Sequence, residues 1–514
     1  MLMSSQEYRE SLRRYKPRVT VNGQPVESVP DEPLFAPGIN AVGVTYDYAL
    51  DGQFGKIMTA RQHTTGATVN RMLHINQTAD DLLDKLEATR LVCREAGCAQ
   101  RYVAQDMLNG LYQATRMADA NHGTDYHQRL LNYLHEAQAK DWAIGGAMTD
   151  TKGDRSLRPG KQDNPDAYVR IVERKPHGIV IRGTKAIVTG APYMHELLVM
   201  PCRMMKADEK DYAVCVAIPI DAPGVTVHAT PAGRPGEKSA RFSNRYGQST
   251  AAVVLDDVFV PWERVFLAGE HEEAGYATTC YATHHRHSCI GARAGFGDLL
   301  IGAGALMIES NGLSPDKHAH VRDAMVELIK IVEGFYACGV ASSVYATKDA
   351  SGCAMPEQVY SNIGKLLLAT QIYDMHKLAH YVSGGLLVAL PTPDEDHNPG
   401  AVAVVQQAFR GRLAEDPRHR IALTQLMNDL TVSHQGGWYS VISLHGGGSP
   451  EAMKREIWRH YPVKDKSGLI ETLLERGLLA GEAKPGAQPG KCCATGCRPP
   501  VMMGERLFRG SEPT

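Results

Sequence analysis

The sequence predicts an α+β protein in which a β region lies between two helical regions. Three observations predict it. Apolar residues recur at helical spacing from Gln77 to about Lys140. Short β-branched runs separated by Gly, Pro and Asp follow from Ala143. Helical periodicity then returns after Pro261–Leu267 and runs to about Arg476. A chain of 514 residues has room for roughly two to four domains. The boundaries expected are 1–142 (helical), 143–270 (β), 271–478 (a helical bundle) and 479–514 (a flexible cysteine-bearing tail).

Each element has a local reason. A short helix is expected at Ser5–Tyr15, followed by Val19–Val26, where Asn22-Gly23 suits a tight hairpin. Thr78 and Asp81 have the spacing of a capping box, and Leu82, Leu83, Leu86, Thr89, Leu91 and Val92 follow at helical spacing. Further helices are read at Gln100–Ala118 and Tyr126–Lys140. The strands expected are Tyr168–Glu173, Gly178–Arg182, Lys185–Thr189, Glu196–Met200, Tyr212–Ile218 and Ala252–Val258, with antiparallel spacing. Helices then follow at Gly297–Glu309, His318–Tyr345, Pro356–Ala379, Ala401–Leu413, Ile421–Ser433 and Glu451–Tyr461.

Hydrophobic residues make 43% of the chain and charged residues 22%, and the formal net charge is -2. That balance offers no electrostatic case for nucleic acid or an anionic membrane. No run of about 18 apolar residues occurs, so no membrane span is expected. The N-terminus lacks the apolar core of a signal peptide, and the eleven scattered cysteines read as reduced cytoplasmic thiols. Cys492, Cys493 and Cys497 are one ligand short of a closed zinc site, so no metal is assigned there.

Several stretches carry chemistry. His284, His285, His287 and Cys289 fall within six residues and precede the small-residue run to Asp298. Such a stretch lines a metal, cofactor or substrate, or it is a buried turn of helix with satisfied histidines. Gly145–Arg155, Gly183–Ala191 and Leu444–Pro450 are glycine-bearing turns that let backbone approach a flat or phosphorylated ligand. No GxGxxG joins a strand to a helix, which argues against a Rossmann site. Cys98, Tyr102 and Asp106, spaced by four, would share one helix face.

Read together, His122–His127, Gly146–Arg155, Asp257–Trp262, Gly295–Asp298 and His445–Pro450 make the chain recognisable. From Met1 to about Tyr461 it resembles the family that joins 4-hydroxybutyryl-CoA dehydratase with the large component of 4-hydroxyphenylacetate 3-monooxygenase. The resemblance implies an acyl-CoA-dehydrogenase-like fold, FAD at the domain junction and a homotetramer or homodimer. It implies flavin contacts at Met148, Thr149, Lys152, Arg155 and Thr189, with His445, Gly446, Gly447 and Gly448 near the phosphates.

The overall wording is closer to the dehydratase branch, which holds an iron–sulfur cluster on three cysteines and a histidine. Cys98 and His285 match two of those ligands, but Tyr102 and Ala292 stand at the other two. Tyrosine and alanine cannot replace thiolates, so no cluster is expected. Two dehydratase glutamates fall on Thr250 and Ile442, a tyrosine on Cys289 and a lysine on Arg293. In the monooxygenase branch, an arginine and a tyrosine four apart touch the phenolic substrate. Tyr102 matches that tyrosine, Cys98 replaces the arginine, and Gly146 replaces a histidine beside the flavin.

The resemblance thus points to a monooxygenase that takes reduced FAD from a partner reductase and hydroxylates a phenolic or related aromatic substrate. Tyr102, His285 and Arg293 are its expected catalytic residues, with Arg293 paired to an anionic group. Cys98, Cys289 and Thr250 would line the substrate pocket. The alternatives are a cluster-free, flavin-dependent acyl-CoA isomerase, dehydratase or dehydrogenase, and a flavin-binding protein without activity.

Overall fold

Two larger sheets, two small two-stranded ones and a set of long helices make up the computed structural model, which describes residues 1–237, 239–391, 398–412 and 416–475. The expected linker after Leu479 and the Cys492, Cys493 and Cys497 tail lie outside the described residues.

The N-terminal elements form for the local reasons given above. Ser4 caps the helix Ser5–Leu12 with Glu7 in a reciprocal capping box. Asn22 and Gly23 both take positive φ, which closes the hairpin between Arg18–Val21 and Gln24–Pro25. Thr78 and Asp81 form the expected capping box at the start of Ala79–Ala96. The helix Tyr126–Lys140 has the expected bounds, whereas the preceding one runs Tyr102–His122. Cys98 therefore sits in the turn before that helix rather than on it. Gly97, at φ +68, ends the earlier helix, and the Tyr439 hydroxyl fills the space a Cβ would take.

The six-stranded sheet runs in the order Gln24–Pro25, Arg18–Val21, Val225–Ala229, Thr250–Pro261, Gly178–Thr189, Arg170–Lys175. The first 142 residues are thus not helical throughout, because their hairpin extends this sheet. Arg18–Val21 lies parallel to Val225–Ala229, so the β region is not wholly antiparallel. Gly178–Arg182 and Lys185–Thr189, expected as two strands, are one strand of 12 residues. It continues through Gly183, where a side chain would strike the Tyr168 carbonyl at 2.7 Å. The four-stranded sheet has the order Val265–Ala268, Val214–Pro219, Glu196–Val199, Ile144–Ala147, and its last pair is parallel.

The helix expected at Gly297–Glu309 is the end of one 40-residue helix, His271–Ser310, which contains the whole histidine-rich stretch. It is long and apolar enough to cross a membrane. Here it is the core helix, packed against Ala79–Ala96, Tyr102–His122, Ala319–Val344 and Gln358–Ser383. Residues 283–297 are buried on every side, which explains why no amphipathic stripe marks them. Gly291 and Gly295 permit this: a Cβ would lie 2.5 Å from the Leu86 carbonyl oxygen and 2.3 Å from that of Arg90. The small-residue run is a helix-packing seam rather than a ligand cradle.

Candidate active site

The site assembles where the turn at Cys98, the helix Tyr102–His122, the core helix His271–Ser310 and the glycine turn at Gly446–Gly448 meet. Its anchor is Asp106, which is fully buried. One carboxylate oxygen pairs with Lys85 Nζ at 2.7 Å and accepts from Ser288 Oγ at 2.7 Å. The other faces His285 Nδ1 at 2.9 Å. His285 Nε2 lies 3.6 Å from Cys289 Sγ, one helical turn further along. The imidazole is sandwiched by Tyr281 (centroids 5.3 Å, planes 11° apart) and Tyr102 (6.1 Å, 21°).

On the other side of Tyr102 lies Cys98, whose Sγ is 3.7 Å from the Tyr102 hydroxyl. The backbone carbonyl of Cys98 accepts from Gln248 Nε2 at 2.7 Å, tying the turn to the sheet. Arg293 is buried, donates from Nε to Ser443 Oγ at 2.5 Å, and has no partner for Nη1 among the described residues. Lys365 donates to the Ser443 carbonyl at 2.6 Å. Arg286 holds the glycine turn by donating to the Gly447 carbonyl at 2.9 Å.

Burial and charge set the protonation states. The Cys93 thiol as donor, with Arg293 and Tyr102, outweighs burial and lowers Cys98 to about 6. Burial opposes ionisation of Cys289, but His285, Lys365 and Arg293 prevail and lower its pKa. Burial also disfavours the His285 cation, yet Cys289 and Asp106 raise it to about 10. His285 is therefore an imidazolium at neutral pH, a proton donor at both nitrogens. Burial, reinforced by Cys98 and Cys289, keeps the Tyr102 phenol neutral. Burial, helped by Arg293 and Arg286, lowers Lys365 to about 8 against the pull of Cys289.

Of the residues expected in the pocket, Cys98, Tyr102, His285, Cys289 and Arg293 converge. Thr250 lies on the sheet, pairs with Thr189 in register and accepts from Trp438 Nε1 at 3.2 Å. Asp106, Lys85, Ser288, Lys365 and Tyr281 went unassigned by sequence. Lys85 carried a signal: it falls on the apolar face of Ala79–Ala96, where a lysine demands a buried partner.

The stretch expected to meet a flavin follows the strand Ile144–Ala147. Lys185 pins it, binding Asp150 Oδ1 (2.7 Å), Met148 O (2.9 Å) and Met200 O (2.8 Å). Thr149 is half-buried beside this anchor, with its backbone carbonyl taken by Ala186 N. Lys152 is half-buried at φ +71 and Arg155 is exposed, and neither has an ion pair among the described residues. Gly447 and Gly448 take positive φ, and a Cβ on Gly447 would sit 3.4 Å from His285 and Arg286. Exposed His445 is the last residue of the helix His434–His445, whose C-cap is Gly446. A glycine turn with positive φ and two cations without an ion pair among the described residues would suit a flavin dinucleotide. Gly146 has another reason to be glycine: a Cβ would lie 2.7 Å from Val103 and 2.8 Å from Met107, so no imidazole fits there.

An iron–sulfur cluster does not fit. The turn position Cys98 and the helix position His285 remain, but Tyr102 and buried Ala292 bear no ligand. No group of three or more His, Cys, Asp or Glu side chains converges to hold a metal among the described residues. All eight described cysteines are unpaired.

Helical region, paired sheets and helical bundle around this buried site define an acyl-CoA-dehydrogenase-like fold. Glutaryl-coenzyme A dehydrogenase shares it at TM-score 0.50 and 13% identity, covering 90% of this chain and 94% of that one. Within that class, the chain belongs to the 4-hydroxyphenylacetate 3-hydroxylase family: residues 4–267 match its N-terminal model and 274–475 its C-terminal model. It is 34% identical over 488 residues to the 4-hydroxybutyryl-CoA dehydratase/vinylacetyl-CoA-Δ-isomerase of Clostridium aminobutyricum, covering 92% of this chain and 99% of that one. It is 25% identical to the 4-hydroxyphenylacetate 3-monooxygenase oxygenase component of Thermus thermophilus, covering 94% and 99%. Among solved structures, an oxygen-tolerant 4-hydroxybutyryl-CoA dehydratase from N. maritimus superposes at TM-score 0.89 with 34% identity, covering 94% and 97%.

Proposed function

We propose that the chain is the oxygenase of a reduced-flavin-dependent hydroxylase acting on a phenolic or similar small aromatic substrate. One observation carries this reading: buried Arg293 interacts electrostatically with Tyr102, and its Nη1 has no hydrogen-bond partner among the described residues. The resemblance implies an arginine–tyrosine substrate clamp in the hydroxylase branch; with Cys98 at the arginine's position, Arg293 of the core helix would supply the guanidinium. Thr149, Thr189, Lys152, Arg155 and the His445–Gly448 turn would hold FAD, which supplies, when bound and reduced, the activation of O₂. A separate reductase would deliver it.

The chain's own residues then bind and orient. Arg293 takes a phenolate or carboxylate oxygen by a charge-assisted hydrogen bond. Tyr102, neutral, donates to a second substrate oxygen. His285, cationic and fixed through Nδ1 by Asp106, offers a proton at the pocket. Tyr102, Cys98 and Arg293, all nearly inaccessible, keep water from the reacting atoms. The overall reaction consumes a phenol, O₂ and reduced flavin and yields a catechol, water and oxidised flavin.

A second reading has specific support in the 34% identity to a CoA-thioester dehydratase/isomerase: a cluster-free acyl-CoA isomerase or dehydratase. Mixing the protein with chemically reduced FAD, air and 4-hydroxyphenylacetate tests the first reading. Hydroxylated product in proportion to flavin oxidised is expected. Conversion of vinylacetyl-CoA to crotonyl-CoA, with only hydrogen peroxide from the aromatic assay, would replace it by the second.

A further inference from the structure

Cys289, His285 and Asp106 are in the geometry of a nucleophile, the imidazolium paired with it and the carboxylate that orients the ring. His285 Nδ1 faces Asp106 Oδ2 at 2.9 Å, and His285 Nε2 faces Cys289 Sγ at 3.6 Å. The carboxylate is itself fixed by Lys85 and Ser288, and the imidazole stacks near-parallel to the Tyr102 and Tyr281 rings. Neither hydroxylation nor flavin binding requires a thiol here.

We propose that Cys289, His285 and Asp106 form a thiol triad that makes Cys289 a covalent nucleophile toward acyl thioesters. The inference stands apart from the hydroxylase reading, since it needs neither flavin nor O₂. Of the titratable groups facing Cys289, the cations His285, Lys365, Arg293 and Arg286 favour the thiolate, while Tyr102 and Tyr281 are held neutral by burial. No other described cysteine has this arrangement. Cys98 is surrounded by Cys93, Tyr102 and Arg293, none of them a base. Cys202 and Cys338 are more exposed, but burial raises both thiols and no histidine adjoins them.

The reaction balances without a further reactant. The Cys289 thiolate bonds to the thioester carbonyl carbon, and the carbonyl π pair moves to oxygen, where unpartnered Arg293 Nη1 can receive it. Collapse breaks the carbon–sulfur bond, and the departing thiolate takes the proton of the His285 imidazolium. The products are S-acyl-Cys289 and a free thiol. Thioesters fit because attacking and leaving groups are both thiolates of similar basicity.

The test uses the full chain as purified. It is treated with iodoacetamide across a pH series, and each cysteine peptide is quantified by mass spectrometry. Cys289 should alkylate about tenfold or more faster than Cys202 and Cys338 at neutral pH, with an apparent pKa below the ordinary thiol value. His285→Asn should slow Cys289 by about tenfold while leaving Cys338 unchanged. If wild-type Cys289 reacts no faster than Cys338, or titrates as an ordinary thiol, the triad is overturned; this reading needs no variant. Butyryl-CoA is then supplied. A butyryl group on Cys289 with release of free CoA, absent in Cys289→Ser, is expected. Addition of the whole thioester, or no adduct, overturns the substrate class.

Discussion

Replacing Asp106 by asparagine should unfold a large part of this protein's stability margin. Lys85 and Asp106 are both fully buried and 2.7 Å apart. The same carboxylate accepts from Ser288 at 2.7 Å and faces His285 at 2.9 Å. Asparagine keeps the shape but removes the charge, and its amide NH₂ points a donor into a ring of donors. Lys85 is left with only the His284 carbonyl, at 3.2 Å. Removing one member of a buried ion pair costs about 3–5 kcal/mol, against a typical total of about 5–15 kcal/mol. Lys85→Met in the Asp106→Asn background removes the stranded cation, so the double variant should be about 2 kcal/mol or more better than the sum of the single losses. Urea unfolding followed by circular dichroism gives all four corners of the cycle. A single loss under about 1 kcal/mol, the scale of an exposed pair, or additivity within about 0.5 kcal/mol, refutes the argument.

Acid should weaken the fold through its buried neutral histidines. Burial lowers His195 to about 3 and His376 to about 4, and pushes His284 and His287 well below their ordinary 6.5. Between those values and 6.5 the unfolded chain binds the extra protons, so stability should fall as pH drops, by ~1.4 kcal/mol per pH unit for each histidine; urea midpoints from neutral pH downward measure it, and a flat profile contradicts it. Gly291→Ala and Gly295→Ala drive a methyl into the Leu86 and Arg90 carbonyls, at 2.5 and 2.3 Å, and should each cost about 1–3 kcal/mol in thermal or urea unfolding. Gly146→His should destabilise rather than create a flavin-side histidine, because even its Cβ meets Val103 and Met107 within 3 Å; a stable variant with raised hydroxylation would refute this. Arg293→Gln should weaken 4-hydroxyphenylacetate binding by calorimetry by about tenfold or more, the worth of one charge-assisted hydrogen bond, and unchanged affinity would remove Arg293 from the substrate site.

Much of the layout is decided by short stretches of sequence. The capping boxes at Ser4 and Thr78, the Asn22-Gly23 turn and the helix Tyr126–Lys140 each follow from residues within a few positions of one another. The motif matches that mark the family are equally local, as are Tyr102 and Ala292 at two positions where the resemblance implies cluster ligands. What the chain could not show locally is anything made by distant residues. Gly178–Thr189 is one strand because its partner Thr250–Pro261 holds it through Gly183. The parallel pairing of Arg18–Val21 with Val225–Ala229 joins segments some two hundred positions apart, with no local marker. Residues 283–297 lack an amphipathic stripe because four helices surround them, so periodicity had no exposed face to register. Their histidines are hydrogen-bonded across helices instead, His284 to Gln113, His285 to Asp106 and His287 to Ser343. Lys85 and Asp106 come from two other helices to reach His285, and only packing brings those charges together in a buried site where each fixes the other's state.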